Sequence, residues 1–247
     1  MLIKSTVIAS VLIAASAICA SAGGDSTPKC FKSYTPRVSN EHLMQIKETK
    51  KYTDLWGERA TMFNTEGCDT TSIVMFGNSL TQGGDWANIL DNPNVLNRGI
   101  IGDIVQGLVD RIDNVVDGHP KKIFLLIGVN DVSHDLTADS ISTAIGGLID
   151  LINTRSPQTK VYVQSLLPIN NSFGRYKRMI DKEQVVRDIN TRLRPIALAK
   201  GAKWIELYPT FCDGDMNLRA DWTSDGLHLR PEGYKAWAIA IKPYINE

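Results

Sequence analysis

Four short stretches of this 247-residue sequence hold residue types that can do chemistry together. The first is "FGNSLTQGGDW", in which Ser79 follows the apolar run Ile73-Val74-Met75-Phe76 and a glycine. A serine hydroxyl is a weak nucleophile until a base takes its proton. The last is "DGLHL", where Asp225 stands three residues before His228. A carboxylate that close can orient an imidazole and fix its tautomer. Attack on an ester makes a tetrahedral oxyanion, which needs donors. Gly102 in "NRGIIGD" offers a backbone N–H that no side chain shields, and Asn130 in "GVND" offers a side-chain amide. Singly each feature is ordinary: Ser79 and Gly102 suit turns, Asn130 suits a helix cap, and D-x-x-H arises by chance. Together and in this order they describe acyl transfer. Ser79, His228 and Asp225 form the candidate triad. The Ser79 and Gly102 N–H groups and the Asn130 amide form the candidate oxyanion hole.

Such residues, scattered over the chain, need a scaffold that brings them to one rim. From Thr71 onward short apolar runs alternate with amphipathic stretches. The predicted strands are 73–76, 95–97, 123–127, 161–165 and 204–207. The predicted helices lie near 84–90, 103–116, 138–154, 181–199 and 232–241. Ile123–Ile127 has no polar alternation, as expected of a strand covered on both faces. Strands alternating with helices imply a parallel sheet with right-handed crossovers. The expected fold is therefore α/β, a three-layer α/β/α sandwich on a five-stranded parallel sheet, over residues 71–247. Ligands bind open parallel sheets beyond the carboxyl ends of the strands. The segments there are "GNSL", "RGIIGD", "GVND" and "SLLPINN". Residues 23–70 form an extension that is largely helical over about 40–64, with Asn40 as cap and Leu43, Ile46, Leu55 and Met62 loosely on one face. It packs across the sheet or forms an accessory arm.

Basic and acidic residues balance at 27 each, so no basic excess points to nucleic acid. Residues 1–22 have a charged start at Lys4, the apolar run "VIASVLIAASAICA" and an Ala20-Ser21-Ala22 cleavage site. This is a signal-peptide pattern, too short in its apolar part for a stable membrane span. The expected location is periplasmic or extracellular. Cys19 follows Ile18, a poor residue for lipoprotein processing. Cys30, Cys68 and Cys212 then remain, without a C-x-x-C pair. They are three thiols, or one bridge with Cys30–Cys68 as the first pair to test. No H-x-x-x-H or carboxylate cluster indicates a metal, and no cofactor is expected. Neither a P-loop nor a G-x-G-x-x-G nucleotide motif occurs.

The four motifs resemble those of the SGNH (GDSL-like) hydrolases from about residue 71 to the C-terminus. Ser79 is similar to that family's first-block nucleophile, Gly102 to its second-block oxyanion glycine and Asn130 to its third-block asparagine. Asp225 and His228 are similar to the last block. "LINTRSPQTKVYV" resembles the branch containing the platelet-activating-factor acetylhydrolase alpha subunits. The resemblance implies a flavodoxin-like sheet and a metal-free serine esterase. One departure is Asn78, where the family's "GDS" reads "GNS". An exported enzyme of this kind implies small acyl groups, acetyl first, on a carbohydrate. Lysophospholipase or thioesterase activity, and a non-catalytic carbohydrate-binding protein on the same scaffold, are the other readings. Asn78, Trp86, Asn171 and Trp222 are the candidate substrate contacts, the tryptophans being packing residues otherwise.

Overall fold

The computed structural model describes Tyr34 and residues 36–247. The leader 1–22 and Cys30 lie outside the described residues. Cys68 is a free, buried thiol whose Sγ donates to the Val115 carbonyl at 2.9 Å.

Five strands form one parallel sheet: β1 Ile73–Gly77, β2 Val95–Gly99, β3 Lys122–Leu126, β4 Lys160–Gln164 and β5 Lys203–Ile205. Their order is β2-β1-β3-β4-β5. Every residue of β1 and β3 is buried, which is why these two runs lack polar alternation. The chain leaves β1 for one side of the sheet and reaches β3 on the other, so a crevice opens between their carboxyl ends. Gly77 pairs with both Gly99 and Leu126, which aligns the exits of three adjacent strands.

The helices of the sheet domain are α3 Ser79–Gln82, α4 Trp86–Ile89, α5 Val105–Asp110, α6 Asp113–Val116, α7 Val129–Ser133, α8 Ala138–Arg155, α9 Glu183–Ala199, α10 Tyr208–Phe211 and α11 Pro231–Asn246. α5, α8 and α9 pack together over one face, and α4 and α11 over the other. The stretch expected as one helix over 103–116 is two. It starts late, at Val105, and breaks at Arg111, whose side chain turns inward and is fully buried.

The N-terminal helical stretch is also two helices, α1 Asn40–Lys50 and α2 Asp54–Glu66. Lys51 turns the chain at φ 58°, and Thr53 caps α2 by accepting from Trp56 N. Ser39 caps α1, not Asn40. The Asn40 side chain instead bonds Asn64 and Thr65 across the hairpin. Leu43, Trp56, Ala60 and Phe63 form a small core with Ile100, from the segment after β2. Arg98 stacks 4.7 Å above the Phe63 ring, and Arg59 donates to Gly99 O. The hairpin is thus fastened beside β2, at the sheet edge.

Candidate active site

Ser79 opens α3, immediately after β1. Asn78 caps this short helix, its Oδ1 accepting from Leu80 N at 3.0 Å. Asn97 of β2 holds the far end, its amide donating to the carbonyls of Thr81, Gln82 and Gly84. Gly99 lets α3 lie directly on β2. A Cβ there would stand 2.2 Å from Gln82 N and 2.7 Å from Asn78 O.

The Ser79 Oγ lies 2.9 Å from His228 Nε2, across 149 positions of sequence. His228 Nδ1 lies 2.8 Å from Asp225 Oδ2. Asp225 Oδ1 accepts from the N–H groups of Leu227 and His228 at 2.9 and 2.8 Å. With Nδ1 donating to the carboxylate, Nε2 is left as acceptor for the serine hydroxyl. Burial raises the Asp225 carboxyl, but the bonds from the His228 side chain and from two backbone amides outweigh this and bring it to about 2. Thr223 steadies the loop, accepting from Gly226 N and donating to His228 O at 2.7 Å.

Gly102 has φ 78°, and nothing lies within 4 Å of the place a Cβ would occupy. Gly102 is thus exposed, in a conformation that L side chains rarely adopt. Asn130, in the first turn of α7, donates from Nδ2 to the carbonyl of Asp103 at 2.8 Å. The amide has a second N–H, and this bond holds it beside the Gly102 segment. Asp103 itself is the anchor of that segment. Its buried carboxylate pairs with Arg111 Nε at 2.8 Å, and Arg111 also donates to Gly77 O and Arg98 O at the ends of β1 and β2. Gln82 Oε1 accepts from Ile101 N, tying the same segment to α3. Asp131 accepts from Val105 N, and burial raises its carboxyl to about 6.

The structure thus brings Ser79, His228 and Asp225 into one hydrogen-bonded chain and ties Gly102 and Asn130 to one segment. The candidate substrate contacts fare differently. Trp86 is 1% exposed, edge-on to Trp237 at 4.9 Å, with its indole N–H on Thr81 O. It is a core residue, because the turn after α3 directs it inward between α3 and α11. Asn78 is fully buried and spent on capping. Asn171 bonds Met179 O and the Glu183 carboxylate, stapling its own loop. Trp222 is half-buried, edge-on to Phe211 at 5.5 Å and covered by Arg219 at 4.5 Å.

Tyr176 was not legible in the sequence. Its hydroxyl donates to Asp225 Oδ2 at 3.0 Å and lies 3.1 Å from His228 Nδ1. Asp103 and Arg111 were equally hidden, since they stand eight positions apart in an amphipathic stretch and only burial marks the pair. A cleft of about 310 Å³ opens beside the Gly102 segment, lined by Lys50, Lys51, Tyr52, Trp56, Ile101 and His134 among others. A larger groove of about 810 Å³ runs along the outer side of α1 and α2 and shares no residue with the triad. Among the described residues no three His, Cys, Asp or Glu side chains are grouped to hold a metal, and no helix is long and apolar enough to cross a membrane.

The profile of the GDSL-like lipase/acylhydrolase family matches residues 75–236. The platelet-activating factor acetylhydrolase IB subunit alpha2 of Rattus norvegicus is 32% identical over 193 residues, which are 73% of this chain and 79% of that protein. Among solved structures, a GDSL-like lipase from Bacteroides thetaiotaomicron superposes with a TM-score of 0.65 at 21% identity, covering 84% of this chain and 98% of that one. A lipolytic G-D-S-L family member from Veillonella parvula superposes with a TM-score of 0.59 at 26% identity, covering 72% and 99%.

Proposed function

This chain belongs to the GDSL-like lipase/acylhydrolase family, and from that premise we propose that it is an exported serine esterase that removes short acyl groups, acetyl first, from carbohydrate esters. The observation that carries the chemistry is the chain Ser79 Oγ–His228 Nε2–Asp225, with links of 2.9 and 2.8 Å. In this reading His228 takes the Ser79 proton as Oγ attacks the ester carbonyl. Asp225 stabilises the imidazolium that forms. The N–H groups of Ser79 and Gly102 and the free N–H of Asn130 receive the oxyanion. His228 then protonates the leaving alkoxide, and water repeats the sequence on the acyl-enzyme to release the acid and restore Ser79. The acetyl preference draws on the rat relative's name as an acetylhydrolase. Export rests on the leader pattern of residues 1–22.

A second reading within the same chemistry is a lysophospholipase or thioesterase. Ile101 and Phe173, exposed by 51% and 37% on segments next to the site, favour it by offering apolar surface to a longer acyl chain. A panel of p-nitrophenyl acetate, p-nitrophenyl octanoate and O-acetylated sugars on wild type and Ser79→Ala tests both. Hydrolysis of acetyl esters should exceed that of octanoyl esters and fall by more than about 1000-fold in Ser79→Ala. A variant as active as wild type removes Ser79 as nucleophile, and an octanoyl preference selects the second reading. Labelling by a fluorophosphonate in wild type but not in Ser79→Ala separates either enzyme from a non-catalytic binder.

A further inference from the structure

The segment that carries Gly102 is held from outside the sheet domain. Asp103 Oδ2 meets Arg111, but Asp103 Oδ1 accepts from the indole N–H of Trp56 at 3.2 Å. Trp56 belongs to α2, which precedes residue 75, where the family match begins. All three side chains are buried, at 2% exposure or less. Gly107, in the first turn of α5, has no side chain for a reason that lies at this contact. A Cβ there would stand 1.8 Å from Asp103 Oδ1 and 3.3 Å from Trp56 Nε1. Tyr52, stacked on Trp56 with ring centres 4.5 Å apart, donates to Asp110 Oδ2 at the other end of α5. The hairpin therefore grips α5 at its entrance and at its exit. The entrance is the segment whose carbonyl, Asp103 O, positions the Asn130 amide.

We propose that the α1–α2 hairpin is a brace for the oxyanion hole, and that Trp56 is its positioning residue, acting through Asp103 on both Gly102 and Asn130. The proposal rests on the esterase reading for its consequence in rate, and on geometry alone for the placement of the segment. Oδ1 also accepts from Ile104 N at 3.1 Å, so the indole is one of two donors to this oxygen. A buried carboxylate that loses one of its donors is held less firmly and can rotate or draw in water. Rotation of Asp103 shifts the carbonyl that holds Asn130. Donors misaligned at the oxyanion weaken transition-state binding and leave ground-state binding nearly intact. The loss should appear in kcat and spare KM.

Trp56→Phe keeps an aromatic ring in the hairpin core while deleting the indole N–H together with the five-membered ring that carries it. Gly107→Ala attacks the same contact from α5. In both variants backbone amide exchange over residues 100–105 should rise relative to wild type. With p-nitrophenyl acetate, kcat should fall about tenfold with KM within about twofold, part of the 100- to 1000-fold that loss of a whole oxyanion donor costs. Unchanged exchange over 100–105 in Trp56→Phe overturns the brace whatever the activity. Raised exchange with unchanged kcat overturns its role at the hole. A rise in KM at constant kcat would make the hairpin a wall of the substrate cleft instead, which also overturns it. If the wild type shows no hydrolysis dependent on Ser79, the esterase reading and the role at the hole fall, while the exchange comparison still decides whether Trp56 holds the segment.

Discussion

Asp225 is the residue on which the geometry of the site turns, and its closest contacts divide the work. Two backbone amides fix one oxygen, and His228 and Tyr176 share the other. Tyr176→Phe removes a donor that competes with the imidazole for that oxygen. With one donor fewer, the carboxylate is held less firmly against His228, and kcat/KM on p-nitrophenyl acetate should fall. The accompanying loss in kcat should be no more than about tenfold, the scale of one hydrogen bond. An unchanged kcat would confine Tyr176 to packing. At the proposed oxyanion hole, Asn130→Ala should cost about 100- to 1000-fold in kcat with little change in KM, as measured on p-nitrophenyl acetate. Asn78 gives the opposite expectation. Its Oδ1 serves as helix cap to Leu80, and an aspartate supplies the same oxygen, so Asn78→Asp should retain activity within about tenfold.

At the scale of elements, the site depends on how closely α3 rests on β2. Asn97 reaches across to three carbonyls of the α3 turn, and Gly99 leaves room for that approach. Gly99→Ala should lift α3 from the strand, with a stability cost of about 1–3 kcal/mol for the overpacking. Because α3 carries Ser79, kcat should fall more than stability would suggest. A thermal melt and a rate measured at the same temperature separate the two effects. The strands themselves follow the expected positions to within two residues at either end, because their apolar runs cannot be buried any other way. The two broken helices are another matter. Arg111 reads as a solvent-facing residue in an amphipathic stretch, and the α1–α2 turn reads as helix until Lys51 adopts its left-handed conformation. Both breaks serve contacts with residues distant in sequence.

For the whole molecule, two carboxylates set opposite pH dependences of stability. Asp225 is held below its ordinary range, at about 2, so its contribution is present above pH 4 and disappears as pH falls through 2. Asp131 is held above it, at about 6, so the folded state keeps a proton that the unfolded chain has released between about pH 4 and 6. Its contribution is complete below pH 4 and lost as pH rises through 6. Asp131→Asn keeps an acceptor for Val105 N without the buried charge. It should therefore gain on wild type by about 3 kcal/mol between pH 4 and 7, read from urea melts. A difference independent of pH would show that Asp131 is neutral, or solvated, throughout.

Residue types and their order along the chain were enough to determine the alternation of strands and helices, the parallel sheet and the candidate set Ser79, Gly102, Asn130, Asp225 and His228. Apolar periodicity and motif spacing are local properties, and each apolar run marks the loop into which its carboxyl end leads. Tertiary structure alone decided that Trp86 is buried while Tyr176 reaches Asp225, that Asp103 and Arg111 pair beneath the rim, and that Trp56 touches Asp103. Most of these contacts join segments tens of residues apart. Whether an indole faces solvent or core depends on what the rest of the chain packs against it, and no local pattern records that.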